Sequence, residues 1–571
     1  MLRRMSLAIL FNLIFIGSAY SIDITEINAG RVGQEFLDVE QLTIEVDKPY
    51  TPPKEKRVSF GENEEAIFTL NEVKIDGSSV FSQEELMQTY KSKLGSKISI
   101  EELYEIVRNI TNMYHKSGYT LSRALLAPQV MKNGVVYIPV IEGYINKVNH
   151  NVDANVGGDV YNKFVENITN EKPSKEVSIK RYLSLIGDIP GVEIKEINYF
   201  FGSHGAIDIN IDMEIKKFEF YAETNNIINK IFGSSQVIAA LTANETSIAG
   251  STQLLTLQST NVSRLNFYQI EHEQNIGGDG LKLQLTGQMT RVKPKFRGAD
   301  EFANESNVRG RASRANISVL YPIIRSQQKN LLVFGSADAQ TVDSTQDSGA
   351  SVEFNDKVRS LKLGLSFETL DYMFGKSLYA NNIFNIIVSK GFLILGAKKV
   401  PSSNDKPFSI VGGRPDFTKI NVNYERLQDL SKSFYLKLEM GGQYAFTELL
   451  SVEEYGIGGT VYGRGYDSVV VSGEHALAMN LELGHDSIVN FSVFNNFRKY
   501  VYYDAGSVWN KNQAQRVNGA RTSANSSGIG GMVTMFDDQV SAVVELGKPL
   551  SRNSNNGNKN IQIFFKLIGT L

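Results

Sequence analysis

Between residues 217 and 571 the chain alternates apolar and polar side chains with period two. In Leu281-Lys-Leu-Gln-Leu-Thr-Gly-Gln-Met289 the odd positions are apolar or glycine and the even ones polar, and Leu361-Lys-Leu-Gly-Leu-Ser-Phe367 and Phe434-Tyr-Leu-Lys-Leu-Glu-Met440 repeat the alternation. The last segment does the same, with Ile561, Ile563, Phe565, Leu567 and Leu571 on one face. Successive side chains of a strand point to opposite faces, so these segments predict strands apolar on one side and polar on the other. A membrane barrel needs that division, because one face meets lipid and the other lines a wet lumen. A soluble β-sandwich alternates too, but so many long strands would strain a single sandwich. At about 22 residues per strand and connection the stretch holds ~16 strands, an ordinary outer-membrane barrel size.

Residues 67–216 carry a different pattern. Ile67–Ile75 reads as a strand, and Ser82 with Glu85 three residues later has the form of a capping box opening a helix to about Lys91. A second helix is predicted from about Ser99 to Lys116, with Leu103, Ile106, Val107, Ile110 and Met113 on one face. Gly118-Tyr119 ends it. Strands follow at Leu121–Pro128 and Val135–Glu142, turning at Asn133-Gly134. The order β-α-α-β-β then repeats: a strand to His150, helices near Val160–Asn170 and Ser178–Gly187, and strands after Gly191 and around Ala206–Ile215. The pattern predicts a duplicated α+β domain over residues 67–143 and 144–216, ahead of the all-β barrel.

At the N-terminus, Arg3 and Arg4 precede an apolar run from Leu7 to Ile16 and the small-residue pattern Ala19-Tyr20-Ser21. This predicts a secretory signal peptide over residues 1–21, in preference to a buried N-terminal helix. No later stretch approaches the about 18 apolar residues of a spanning helix, so a mature chain that crosses a membrane does so as a closed barrel. Residues 22–66 read as a tether. A segment around Glu26–Leu42 has helical character, and Pro49, Pro52 and Pro53 with Lys54-Glu55-Lys56-Arg57 read as an extended linker, with simple disorder as the alternative.

Composition narrows the function. The 571 residues exceed one ordinary core, and the net charge of −3, from 59 basic and 62 acidic side chains, argues for neither nucleic-acid binding nor disorder. The absence of cysteine excludes disulfides, thiolate metal sites and cysteine nucleophiles. Catalytic motifs fail one by one. Gly375-Lys376-Ser377 ends like a phosphate-binding loop, but Leu370 stands where its first glycine must be. His272-Glu273 meets Ile276 where a zinc protease needs its second histidine, and there is no Gly-x-Ser-x-Gly elbow. The six histidines are scattered. No enzyme activity, cofactor or metal is expected.

Several local motifs, in their order along the chain, carry a resemblance. Gly118-Tyr119, Ala127-Pro128-Gln129, Asn133-Gly134-Val135 and Glu142-Gly143-Tyr144-Ile145 lie in the first α/β repeat, and Asp188-Ile189-Pro190-Gly191-Val192 in the second. Further on come Arg426-Leu-Gln, Gly442-Gln443, Glu453-Glu-Tyr-Gly-Ile-Gly458-Gly459, Gly463-Arg464-Gly465-Tyr466 and Tyr503-Asp504-Ala505-Gly506. This run resembles the two-partner secretion transporters, the haemolysin-activator and filamentous-haemagglutinin transporter group, over nearly the whole mature chain.

The resemblance implies two periplasmic POTRA domains, residues 67–143 and 144–216, before a 16-stranded antiparallel outer-membrane barrel over 217–571. It implies a loop, 448–474, folded back into the lumen with Gly463-Arg464-Gly465-Tyr466 at its tip, and an ion pair between Arg464 and Asp504. Gly463 stands where the family usually has valine. Strand parity agrees with a lumenal Asp504: it shares a face with Tyr502 and Gly506, whereas Val501 and Tyr503 face the other way, and a charge facing lipid costs a few kcal/mol. A guanidinium there is suited to hold the carboxylate with two hydrogen bonds. Gly118, Tyr119, Pro128, Gln129, Glu142 and Gly143 are the motif positions implied in cargo recognition. The implied function is passage of one large secreted protein, unfolded, through a monomeric barrel that sits in outer-membrane lipid and is inserted by the barrel-assembly machinery. A barrel-assembly factor and a passive porin are the alternatives.

Overall fold

The computed structural model describes Ala29 and residues 68–571 apart from 153–154, 229–231, 262, 295–307, 347–352, 374–377, 467–470, 492, 512–520, 537 and 552–559. The expected signal peptide, all of the tether except Ala29, and Gly375-Lys376-Ser377 lie outside the described residues.

Two α/β units come first. In the first, the strand Glu72–Asp76 runs parallel to Val135–Ile141, and Arg123–Ala124 pairs antiparallel on the other side of that central strand. Ser82 forms the expected capping box with Glu85, but the helix it opens is Gln83–Met87, shorter than the pattern suggested. The helix Ile100–Lys116 begins on a second capping box, Ser99 with Glu102, and buries Leu103, Ile106, Val107, Ile110 and Tyr114 against the sheet. Tyr114 takes the core place expected of Met113, which is only partly buried. The strand expected over Leu121–Pro128 shrinks to Arg123–Ala124. Pro128 has no N–H to give a ladder, and the chain leaves the sheet before reaching it.

The second unit repeats the topology. Tyr144–His150 runs parallel to Ala206–Ile215, which pairs antiparallel with Val192–Phe201. Helices Asp159–Thr169 and Glu176–Gly187 cover one face and bury Phe164, Ile168, Ile179 and Leu183 with Ile207, Ile209 and Ile211.

From Phe218 to Thr570, sixteen antiparallel strands close into a barrel, the last, Gln562–Thr570, pairing with the first, Phe218–Asn225. Parity follows the sequence pattern. On Val308–Ile324 the side chains of Ile317, Val319, Tyr321 and Ile323 point out and those of Arg314, Asn316 and Ser318 point in. Apolar side chains also point out at Leu285, Met289, Leu361, Leu363, Phe434, Met440 and along Ile561–Leu567. This outer band fits lipid contact and the inner polar face fits water. At the closing seam Phe220 and Leu571 exchange backbone hydrogen bonds of 2.9 Å.

The second unit is docked on the barrel's turns. Arg325 holds Asp188 through two hydrogen bonds of 2.7 and 2.6 Å. Arg181 donates to the carbonyls of Pro322, Ile323 and Asp279, and Thr246 donates to Pro190 O at 3.0 Å. The Asp188–Val192 motif is thus a docking element. Asp188→Ala should loosen it, removing ~3 kcal/mol from a largely buried pair. Spin labels on single cysteines, one on the second unit and one on a barrel turn, should then show a broadened distance distribution; an unchanged one would assign the docking to the Arg181 contacts.

Candidate functional site in the barrel lumen

The connection between the strands Phe434–Ala445 and His475–Phe491 folds inward. It forms a narrow hairpin in which Tyr455–Ile457 pairs with Val471–Gly473. Gly458 and Gly459 turn its tip at φ 124° and 98°, and Gly463 follows at φ 85°. Such angles are costly for any residue with a Cβ, which explains the glycines in this run. Lys419 on the wall holds Glu453 at the loop's root with a 2.7 Å ion pair.

Arg464 and Asp504 are both buried at the tip, and the structure brings them together, though not in the expected two-bond form. The backbone N–H of Arg464 donates to Asp504 Oδ2 at 2.7 Å, whereas the guanidinium lies 3.5 Å from Oδ1. Asp504 is filled instead by Asn480, which donates to Oδ1 at 2.6 Å, and Ser526, which donates to Oδ2 at 3.1 Å. The guanidinium's close partner is Glu482 at 2.8 Å, with Glu545 at 3.6 Å. Its plane lies over the Tyr502 ring, 3.6 Å from the centroid. Asp504 therefore pins the loop's backbone, and Glu482 with Glu545 takes the charge. Buried charges persist only with such compensation.

Glu482 and Glu545 were not singled out from the sequence. The signal was available: each sits between outward apolar neighbours, Leu481 with Leu483 and Val544 with Leu546, so parity turns both into the lumen.

The rest of the tip is seated by close approach. Gly465 N–H donates to Ser526 Oγ at 3.1 Å, and a Cβ on Gly465 would lie 2.8 Å from Ser526 Cβ and from the Lys548 carbonyl carbon. Tyr466 OH lies 2.8 Å from Asn525 O and 2.9 Å from Ser551 O.

At the barrel end far from the α/β units, the lumen is apolar. Ile238, Leu257, Phe267, Val342 and Val358 of the wall cluster with Phe417, Leu449 and Leu450 of the connections. Ala29, 2% exposed, packs in the same cluster.

The motif positions of the first α/β unit build its frame. Glu142 accepts from Ser79 N–H at 2.8 Å, Val80 N–H at 3.0 Å and Tyr114 OH at 2.8 Å, and from the Ser79 hydroxyl. Burial pushes its carboxyl up, but these hydrogen bonds outweigh it and hold it below the usual carboxylate range. Gly118 ends its helix at φ 89°, and its carbonyl accepts from Glu176 N–H at 2.9 Å in the second unit. Tyr119 packs edge-on to Tyr114. Gly143 comes so close to Leu121 O that a Cβ would lie 2.3 Å away. Pro128 and Gln129 lie on the exposed segment after Arg123–Ala124.

Known proteins share this architecture. The model of the ShlB-type POTRA domain matches residues 68–143, and that of the haemolysin secretion/activation protein ShlB/FhaC/HecB matches residues 299–531. The heme/hemopexin transporter protein HuxB of Haemophilus influenzae is 23% identical over 567 residues, covering 95% of this chain and 93% of its own. The outer membrane transporter CdiB of Dickeya dadantii is 20% identical over 504 residues, covering 85% and 83%. Among solved structures, CdiB from Escherichia coli superposes with a TM-score of 0.73 at 16% identity, covering 98% of this chain and all of that one. BamA from Haemophilus ducreyi lacking POTRA domains 1–3 gives 0.50 at 13% identity, covering 88% of this chain. The likeness to BamA is one of fold alone, whereas both family models are of the ShlB type. The chain belongs to the two-partner secretion transporters of the ShlB/FhaC/HecB type, outer-membrane barrels with periplasmic POTRA domains that carry a secreted partner protein across the membrane through the barrel.

Proposed function

We propose that this transporter passes one large exoprotein, haemolysin- or adhesin-like, through its lumen unfolded, after the POTRA pair has captured an extended segment. The observation that carries the reading is the loop tip seated across the lumen, with Arg464 among Asp504, Glu482 and Glu545. A plug held by a few polar contacts and one close glycine approach is a two-state element, which an arriving chain displaces by binding the open state better. Ala29 in the apolar lumenal cluster supports a second plug drawn from residues 22–66. The outward apolar band suits a monomer surrounded by outer-membrane lipid, inserted by the barrel-assembly machinery. The reading needs no catalytic step; folding of the cargo outside the cell supplies the direction.

Comparing the culture medium and cell surface with and without the gene tests this. Loss of one large exported protein, with other barrel proteins unchanged, is expected. A general loss of barrel proteins would replace the reading with barrel assembly, and a change in small-solute uptake alone with a porin.

A further inference from the structure

The outer face of the barrel changes character on one side. On the strand Val308–Ile324 the outward positions run Ile323, Tyr321, Val319, Ile317 and Ala315 from the POTRA end, and then Ser313 and Arg311. From Ala315 to Ile323 is ~27 Å along the strand and ~20 Å along the membrane normal at a tilt of about 40°, most of a ~25 Å apolar band. Arg311 therefore stands at the level of the outer leaflet's headgroups. Two nearby strands repeat the change. Leu285 and Met289 of Leu281–Val292 give way to Arg291 and then Lys293, and Leu363 and Leu361 of Phe354–Asp371 give way to Arg359 and Lys357. On other strands Val237, Tyr444 and Trp509 stand at the corresponding ends.

The protein leaves most of these cations without an anion. Arg291 and Arg311 face each other directly across the ladder, where like charges repel. Among the described residues no ion pair involves Arg291, Lys293, Arg311 or Lys357. The Arg291 guanidinium reaches Met289 Sδ at 3.9 Å, whereas Arg359 turns onto the carbonyls of Gln340 and Val358. Asp343 stands opposite Arg311, but Lys406 holds it at 2.9 Å and Asn355 donates to it at 3.3 Å. Solvation alone accounts for scattered cations. It does not account for an opposed arginine pair without a carboxylate, placed where a continuous apolar face ends.

We propose that this wall binds the phosphorylated headgroup of the outer-leaflet glycolipid. The acyl chains lie along Leu285, Met289, Ile317 and Leu361. A phosphate sits between Arg291 and Arg311, with Lys293 and Lys357 to either side. Guanidinium groups take phosphate through paired N–H bonds, and an anion between them turns their repulsion into attraction. These are the fifth to eighth of the sixteen strands, so the lipid contacts the wall across from the closing seam.

The test uses the full-length transporter in detergent, with lipid A, the bisphosphorylated anchor of that glycolipid, as probe and native mass spectrometry as readout. A cation at an anionic lipid surface contributes about fivefold to binding, so Arg291→Gln combined with Arg311→Gln should weaken it about 25-fold. Lys357→Gln, on a separate strand, should weaken it about fivefold. Lys499→Gln removes an outward cation toward the POTRA end and should change nothing. Should the double variant fail to fold, Lys357→Gln decides. Binding by these variants equal to that of the unaltered chain would overturn the proposal. An equal loss in Lys499→Gln would overturn it as well, because net charge alone would then be acting. So would full retention of dephosphorylated lipid A by the unaltered chain, which would reduce the site to its apolar band.

Discussion

Arg464→Ala should cut secretion of the partner to a small fraction while leaving the amount of inserted barrel near normal. The sixteen-strand ladder does not depend on this side chain, because the strands close through backbone pairs and an outward apolar band. The loop tip does depend on it. Without the guanidinium, Glu482 and Glu545 face a buried site from which their shared cation has gone, and Asp504 keeps only neutral donors. Breaking a buried ion pair by removing one partner costs ~3–5 kcal/mol, enough to shift a seated tip largely to an unseated one. Arg464→Lys should restore little, since a lysine lacks the planar group that stacks on Tyr502 while reaching two carboxylates. Quantifying exported partner against surface-labelled barrel checks this. Equal secretion at equal surface level would remove Arg464 from the mechanism.

The barrel was legible because its physics is written in single residues. A strand between lipid and water must alternate, and Leu281–Met289 or Ile561–Leu567 can do so in only one register. Parity alone also placed Asp504 in the lumen. What parity does not contain is distance along the lumen, and so it could not tell which of several inward carboxylates meets Arg464. The pairing with Asp504 came from resemblance; that the Arg464 backbone N–H makes the short contact to Asp504, and that Glu482 is the guanidinium's close partner, came only from the folded loop. The first POTRA shows a second limit. Leu121–Pro128 has strand-like composition, yet Gln129 completes the sheet edge with a side chain, an arrangement with no periodic signature. At Gly463, where the resemblance leads one to expect valine, φ is 85°, a region that a β-branched residue enters only under strain.

Gly465→Val should reproduce the Arg464→Ala defect although every charge is retained. Its Cβ would fall 2.8 Å from Ser526 Cβ and 2.8 Å from the Lys548 carbonyl carbon, and on the wall a Cβ added to Gly547 would in turn lie 2.8 Å from Gly465 Cα. These neighbours belong to barrel strands held by ladders on both sides, so they have little room to give. The loop must move instead. Displacing it by the ångström or so that a methyl group needs breaks the 2.7 Å contact between Arg464 N–H and Asp504 and the 3.1 Å contact between Gly465 N–H and Ser526. Two hydrogen bonds, one to a charged acceptor, amount to ~3 kcal/mol, comparable to losing the guanidinium. The two substitutions reach one outcome by separate causes, charge in one and shape in the other, so agreement between them would assign the function to the seated tip rather than to either residue. Normal secretion by Gly465→Val with defective Arg464→Ala would mean that the arginine acts on the passing chain itself, as a lumenal cation, and that the seat of the loop is incidental.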